Sequence, residues 1–202
     1  MINEKNDCKA TKVSMNFIAE HIKRVASKLD TGSVSDLVDN IMGAKKIFLM
    51  GAGRSGLAAR AFAMRLMHLG FRVHVVGETT APAVQPEDLV IAVSGSGETT
   101  SITNLGAISK KIGSKLATIT SNKDSTLGNI SDVVVIVPGR PKEDLDYEDY
   151  QERQMIGYPQ LAPLGTLFEI SALVFLDSVI SDLMVRTGES EAELKMKHTA
   201  FE

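Results

Sequence analysis

The chain has a single cysteine, Cys8, among its 202 residues. One cysteine excludes an intrachain disulfide and a cysteine-built metal cluster. Long hydrophobic runs are missing too: no stretch approaches the roughly 18 consecutive apolar residues of a membrane span. The opening MINEKNDCKATK lacks the apolar core of a secretory signal, so a soluble cytoplasmic protein with no membrane partner is expected. Nor is there an excess of positive charge, because 22 Lys and Arg against 25 Asp and Glu leave a net charge of −3. Nucleic-acid binding needs a basic face, so small-molecule chemistry is favoured over a nucleic-acid partner. Solenoid-type repeats and low-complexity tracts are also lacking.

What is present is apolar material, 44% of the chain, enough for the core of one domain and too little for two independent domains. Helical spacing of Phe17, Ile18, His21, Ile22, Val25 and Leu29 predicts a first amphipathic helix over about 14–29. A second helix is predicted from Ser33, with Asp36 three residues on as a capping box. Short apolar runs at 47–50, 72–76, 89–93, 116–120 and 133–137 read as strands. Helix-length segments at 55–69 and 99–112 separate them, with a shorter turn at 124–129. Alternation of this kind predicts an α/β fold, a three-layer α-β-α sandwich on a five-stranded parallel sheet, with ligands outside the carboxyl ends of the strands. A surface excursion is expected over 138–163, where the acidic run 143–149 reads as a solvated face. A long, broadly apolar helix should follow from Leu164 to Thr187, stopped by Gly188, and a short one from Ser190 to His198. The expected division is N-terminal helices packing on the core over 1–43, the α/β domain over 44–187, and a C-terminal helix and tail over 188–202 that completes a site.

Two glycine-rich loops fall where a strand gives way to a helix: GAGRSG from Gly51 to Gly56, and SGSGETTS from Ser94 to Ser101. Small residues let backbone approach an anion, and the helix that follows offers unpaired N–H groups and the positive end of its dipole. The second loop adds hydroxyls suited to phosphate or sugar oxygens. Candidate ligand-binding residues are therefore Gly53, Arg54 and Ser55 in the first loop and Ser94, Gly95, Ser96, Gly97, Glu98 and Thr99 in the second. Arg54 presents a guanidinium able to grip an anion bidentately. Arg140, just past the last predicted strand, is a further candidate.

GAGRSG also satisfies the dinucleotide-binding pattern, and Glu78, 22 residues beyond Gly56, is placed as its ribose-binding acid. A dinucleotide-binding protein is thus one alternative. The second loop argues against it, because it duplicates the phosphate-cradling chemistry on a neighbouring strand. Thr166-Leu167-Phe168-Glu169 fits a capping box, which would give Glu169 a purely structural task.

With GAGRSGLAARAFAMRLMHLGF from Gly51, VGETTAP from Val76, LVIAVSGSGETTS from Leu89 and APLGTLFEISALVFLD from Ala162, the chain resembles the sugar isomerase (SIS) family. Within it, these motifs are most similar to those of the 6-phospho-3-hexuloisomerases. The resemblance runs from about Ala44 to the C-terminus. It implies a five-stranded parallel sheet binding a phosphorylated ketohexose, and interconversion of D-arabino-hex-3-ulose 6-phosphate and D-fructose 6-phosphate through an enediolate, with no cofactor and no metal. It implies Glu169 as the carboxylate that moves the proton, and His198 as a second catalytic residue, in its own or a neighbouring subunit's site. A homo-oligomer, expected to be a tetramer, is implied, with hexulose-6-phosphate synthase as neighbour in the ribulose monophosphate pathway. The other alternative, a non-catalytic phosphosugar-sensing module, would keep the loops and leave Glu169 and His198 without chemistry.

Overall fold

The computed structural model describes residues 9–139 and 165–189. Its elements, in chain order, are α1 (Lys9–Lys28), α2 (Thr31–Gly43), β1 (Ile47–Gly51), α3 (Gly53–His68), β2 (Val73–Val75), β3 (Leu89–Val93), α4 (Thr100–Ile112), β4 (Lys115–Thr120), α5 (Thr126–Ile130), β5 (Val133–Ile136) and α6 (Thr166–Thr187). The five strands form one sheet in the order β2-β1-β3-β4-β5. Every pairing is parallel, with Ile47 opposite both Val73 and Leu89, and Ala117 opposite both Ile91 and Val133. This is the expected α/β sandwich.

Side-chain alternation sorts the strands' residues into two cores. Ile47, Leu49, Ile91, Val93, Ile119 and Val135 face α1, α2, α3 and α6; Phe48, Met50, Val90, Ala92 and Leu116 face α4 and α5. From β1 the chain crosses to β2 at one edge, whereas from β3 it runs through β4 to β5 at the other. Right-handed crossovers in opposite directions put α3 on one face and α4 and α5 on the other. The same reversal opens a crevice between the carboxyl ends of β1 and β3, and both glycine loops leave the sheet there.

α6 buries a stripe at helical spacing, Leu167, Phe168, Ser171, Ala172, Phe175, Leu176, Val179, Ile180 and Leu183. That stripe packs on α1, α2 and α3, which anchors the start of α6 over the crevice. The broad apolarity read from the sequence is only partly spent in this way, since Leu173 and Val174 stay exposed. Gly188, with φ 72°, ends the helix as expected. At the amino end of the sheet, away from the loops, Asp88 is buried, accepts the Gln85 N–H at 2.8 Å and pairs with Lys46 at 3.1 Å.

One helix start differs from the sequence reading, and at another the capping-box alternative does not form. α2 is capped by Asp30, not Ser33: its two carboxylate oxygens each accept one N–H, from Gly32 and Ser33, both at 3.2 Å. α6 is capped by Gly165, and Glu169, one position beyond the reach of a capping box, turns its side chain to Arg54. The acidic run 143–149 and the short C-terminal helix fall outside the described residues.

Candidate active site

The first loop is closed by the approach of α3 to its own strand. A Cβ on Gly56 would lie 2.6 Å from the Gly51 carbonyl oxygen, so only glycine lets the helix start this close. Gly53 takes φ +55° with open space around it, and Ala52 caps α3 without a side-chain bond. Arg54 is thereby raised at the mouth of the loop, more than half exposed, while Ser55 turns inward and is buried.

The second loop is folded on itself. The Gly97 N–H donates to both the Ser94 carbonyl, at 3.1 Å, and Ser94 Oγ, at 3.2 Å, and the Glu98 N–H donates to Ser96 Oγ at 3.2 Å. Ser94 Oγ and Thr99 Oγ1 stand 3.5 Å apart. The Gly95 carbonyl collects the Ser121 N–H at 3.0 Å, Ser121 Oγ at 2.7 Å and Thr120 Oγ1 at 3.2 Å, which ties the loop to the end of β4. Glu98 turns away toward α5: its carboxylate accepts Thr126 Oγ1 at 2.6 Å and the Thr126 N–H at 2.7 Å. The Thr126 hydroxyl, and then its N–H, hold the Glu98 carboxyl below the ordinary glutamate value.

Helix starts divide into two kinds. α2 and α5 have side-chain caps in Asp30 and Ser125; α3, α4 and α6, which start around the crevice, have N-cap residues Ala52, Thr99 and Gly165 with no side-chain cap bond. Leading N–H groups of a helix that no side chain engages are donors for an anion.

Glu169 completes the arrangement from α6. Its carboxylate is less than a fifth exposed and accepts a hydrogen bond from Arg54 Nε. Next to it on the same helix, Phe168 packs between the second loop and the residues that follow β5, since a Cβ at Gly95 would lie 2.8 Å from its ring and one at Gly139 would lie 3.3 Å from its Cβ. Arg54, Glu169 and the second loop therefore surround one place at the carboxyl end of the sheet. A cleft of about 170 Å³ opens beside the first loop, lined among others by Ala52, Arg60, Val76, Ser101 and Leu105. Arg54 and Glu169 stand outside that lining.

Glu78, the acid of the dinucleotide reading, is held by Arg60 of α3 at 2.5 Å. Ser121 and Phe168 were not among the candidates from sequence, although both touch the second loop. A hydroxyl residue directly after a predicted strand was the signal for Ser121, while Phe168 looked like any other apolar position of a long helix. His198 and Arg140 lie outside the described residues. Among the described residues no group of His, Cys, Asp and Glu is arranged to hold a metal ion, and no helix is long and apolar enough to cross a membrane.

Comparison with known proteins bears on this arrangement. A family model described as SIS domain matches residues 40–149. A protein of Archaeoglobus fulgidus is 44% identical over 93% of this chain and 98% of its own length. The 3-hexulose-6-phosphate isomerase of Bacillus subtilis is 37% identical over 92% of this chain and 97% of its own. The crystal structure of a Methanococcus jannaschii protein, from which a 3-hexulose-6-phosphate isomerase function was inferred, superposes with a TM-score of 0.77 at 33% identity, covering 93% of this chain and 98% of that one.

Proposed function

Because the chain belongs to the SIS-domain family, in the group that includes the 3-hexulose-6-phosphate isomerases, we propose that this isomerase interconverts D-arabino-hex-3-ulose 6-phosphate and D-fructose 6-phosphate. The observation that carries the reading is the meeting of Glu169 and Arg54 at the crevice beside a hydroxyl-rich loop. Moving a carbonyl between C2 and C3 requires a base for the proton on the neighbouring carbon, a group that stabilises the enediolate, and a hold on the phosphate.

Each requirement has a residue in this proposal. The hydroxyls of Ser94, Ser96 and Thr99, with the uncapped first N–H groups of α4, hold the phosphate. Glu169 takes the C3 proton of fructose 6-phosphate, and the pair of electrons left behind forms the C2–C3 enediolate. Arg54, already beside that carboxylate, stabilises the negative charge as it develops on oxygen. Glu169 then returns the proton to C2 while the hydroxyl proton passes from O3 to O2, which leaves the carbonyl at C3. Glu98 has no part in this scheme beyond holding the loop to α5.

The test is fructose 6-phosphate in deuterated water, followed by NMR with the wild type and Glu169→Gln. A 3-keto sugar phosphate should grow in, with deuterium entering at C3 where the proton escapes to solvent, and Glu169→Gln should abolish both. Exchange at C1 would mean an aldose–ketose isomerase instead. Tight binding with neither exchange nor new sugar would mean a sensor.

A further inference from the structure

Among the described residues the Glu169 carboxylate has one hydrogen-bond partner, Arg54, and a second neighbour of a different kind. Gly165 caps α6 with φ 88° and ψ −28°, and its carbonyl accepts the Glu169 N–H at 3.0 Å. In that turn the glutamate side chain lies along the Cα of Gly165. A Cβ at Gly165 would lie 2.9 Å from Glu169 Oε1, 3.3 Å from Cδ and 3.5 Å from Oε2, so its three near neighbours are the carboxylate group itself.

We propose that Gly165 is a positioning residue for the isomerase reaction: its bare Cα is the seat on which the Glu169 carboxylate rests, with Arg54 closing the other side. The proposal rests on Glu169 being the base. Contact with the end of a flexible side chain is relieved by rotating that side chain, which costs the fold little. The cost falls on the carboxylate's position, because the rotation that clears a Cβ also moves the oxygens relative to Arg54 and to the carbon that must lose its proton. A displacement of about 1 Å in a reacting group is enough to slow a reaction roughly a hundredfold.

Two demands meet at Gly165, a left-handed backbone and the absence of a Cβ, and the helix itself supplies the means to separate them. Gly188, at the opposite end of α6, has φ 72° and nothing within 4 Å of where its Cβ would be, so it meets only the first demand. Asparagine tolerates left-handed backbone better than other side-chain-bearing residues, yet it brings a Cβ. Gly165→Asn and Gly188→Asn both put a side chain on left-handed backbone, with ψ −28° at Gly165 further from the favoured region than ψ 11° at Gly188, and only the first meets Glu169. Shortening Glu169 leaves the backbone strain in place and so separates the two costs.

The experiment measures kcat and KM for fructose 6-phosphate in Gly165→Asn, Gly188→Asn, Glu169→Asp, Glu169→Gln and the Gly165→Asn/Glu169→Asp double variant, with thermal melts of each. Gly188→Asn should stay within about twofold of wild type, and Gly165→Asn should lose about tenfold or more in kcat with KM nearly unchanged. In the Glu169→Asp background, where the shorter carboxylate clears the Cβ, the same substitution should cost much less. Gly165→Asn no slower than Gly188→Asn, or equally harmful with Asp at 169, overturns the positioning role. If Glu169→Gln keeps wild-type kcat, the base itself has been misassigned and the seat falls with it. An inactive Glu169→Gln beside a fully active Gly165→Asn overturns the seat alone.

Discussion

Arg54 and Glu169 are 115 positions apart in the chain and are joined by a hydrogen bond across the carboxyl end of the sheet. Arg54 is the exposed member and Glu169 the sheltered one, with side-chain exposures of 58% and 18%. An ion pair with one exposed partner contributes little to stability, about 1 kcal/mol or less, so Arg54→Met should melt close to wild type. Its kcat/KM should nevertheless fall about tenfold or more, because the charge opposite the enediolate is gone. Steady-state kinetics beside a thermal melt decide this, and wild-type kinetics in Arg54→Met would remove Arg54 from the chemistry.

Gly95→Ala should loosen the second loop through Phe168. The new methyl would stand 2.8 Å from Cδ1 and 3.0 Å from Cγ of a buried ring, which has no room to withdraw. Overpacking of this kind costs about 1–3 kcal/mol. The pair should be non-additive: Phe168→Leu, costly alone, should recover part of the Gly95→Ala loss, as read from urea denaturation of the four-member cycle.

Gly97→Ala should be worse, since two costs coincide. The residue has φ +68°, and a Cβ would fall 2.0 Å from Ser125 Oγ, the atom that caps α5 by accepting the Gly128 N–H at 3.1 Å. Left-handed backbone costs a side-chain-bearing residue about 1–2 kcal/mol. Ser125→Gly should therefore rescue only the steric part, and a full rescue in denaturation would show that the loop relaxes out of its left-handed turn.

Acid should weaken the tie between the second loop and α5. Glu98 titrates below its ordinary value of 4.5 because Thr126 donates to it from side chain and backbone. A depressed carboxylate stabilises the fold above its unfolded pKa, and that contribution is lost as pH falls through the lower folded value. Thr126→Val removes the hydroxyl donor, so its urea midpoint should lie below wild type at pH 6, and the gap should close as pH drops well under 4.5. A gap that is independent of pH would mean that the Thr126 hydroxyl acts by packing.

Much of this architecture was legible because its signals are local. All five strands stand within a residue or two of where their apolar runs lie, and the glycine loops sit at strand ends as their composition required. Local patterns were ambiguous where two of them competed or where the partner was remote. Asp30, Thr31 and Ser33 all suit a helix cap, and Asp30 wins because its two oxygens take two N–H groups at once. Thr166-x-x-Glu169 reads as a cap in any short window; Arg54, which Glu169 binds instead, lies far outside one. Glu78 has the spacing of a ribose ligand, and only the packing of α3 brings Arg60 to it. Ser121 and Phe168 gain their places from contacts with Gly95 that no periodicity encodes.

The embrace of Gly51 and Gly56 explains why GAGRSG resembles a nucleotide fingerprint at all. Each of these glycines excludes a methyl because the other's backbone is in the way, the Gly51 oxygen at 2.6 Å from one side and the Gly56 nitrogen at 2.9 Å from the other. They are the hinge-pin of a strand-to-helix elbow and say nothing of the cargo carried above it. Of the letters in between, Arg54 is more than half exposed and reaches across to Glu169 instead of packing into the joint. The elbow is therefore a mount independent of what stands on it: a substitution at Arg54 should leave the joint beneath it shut.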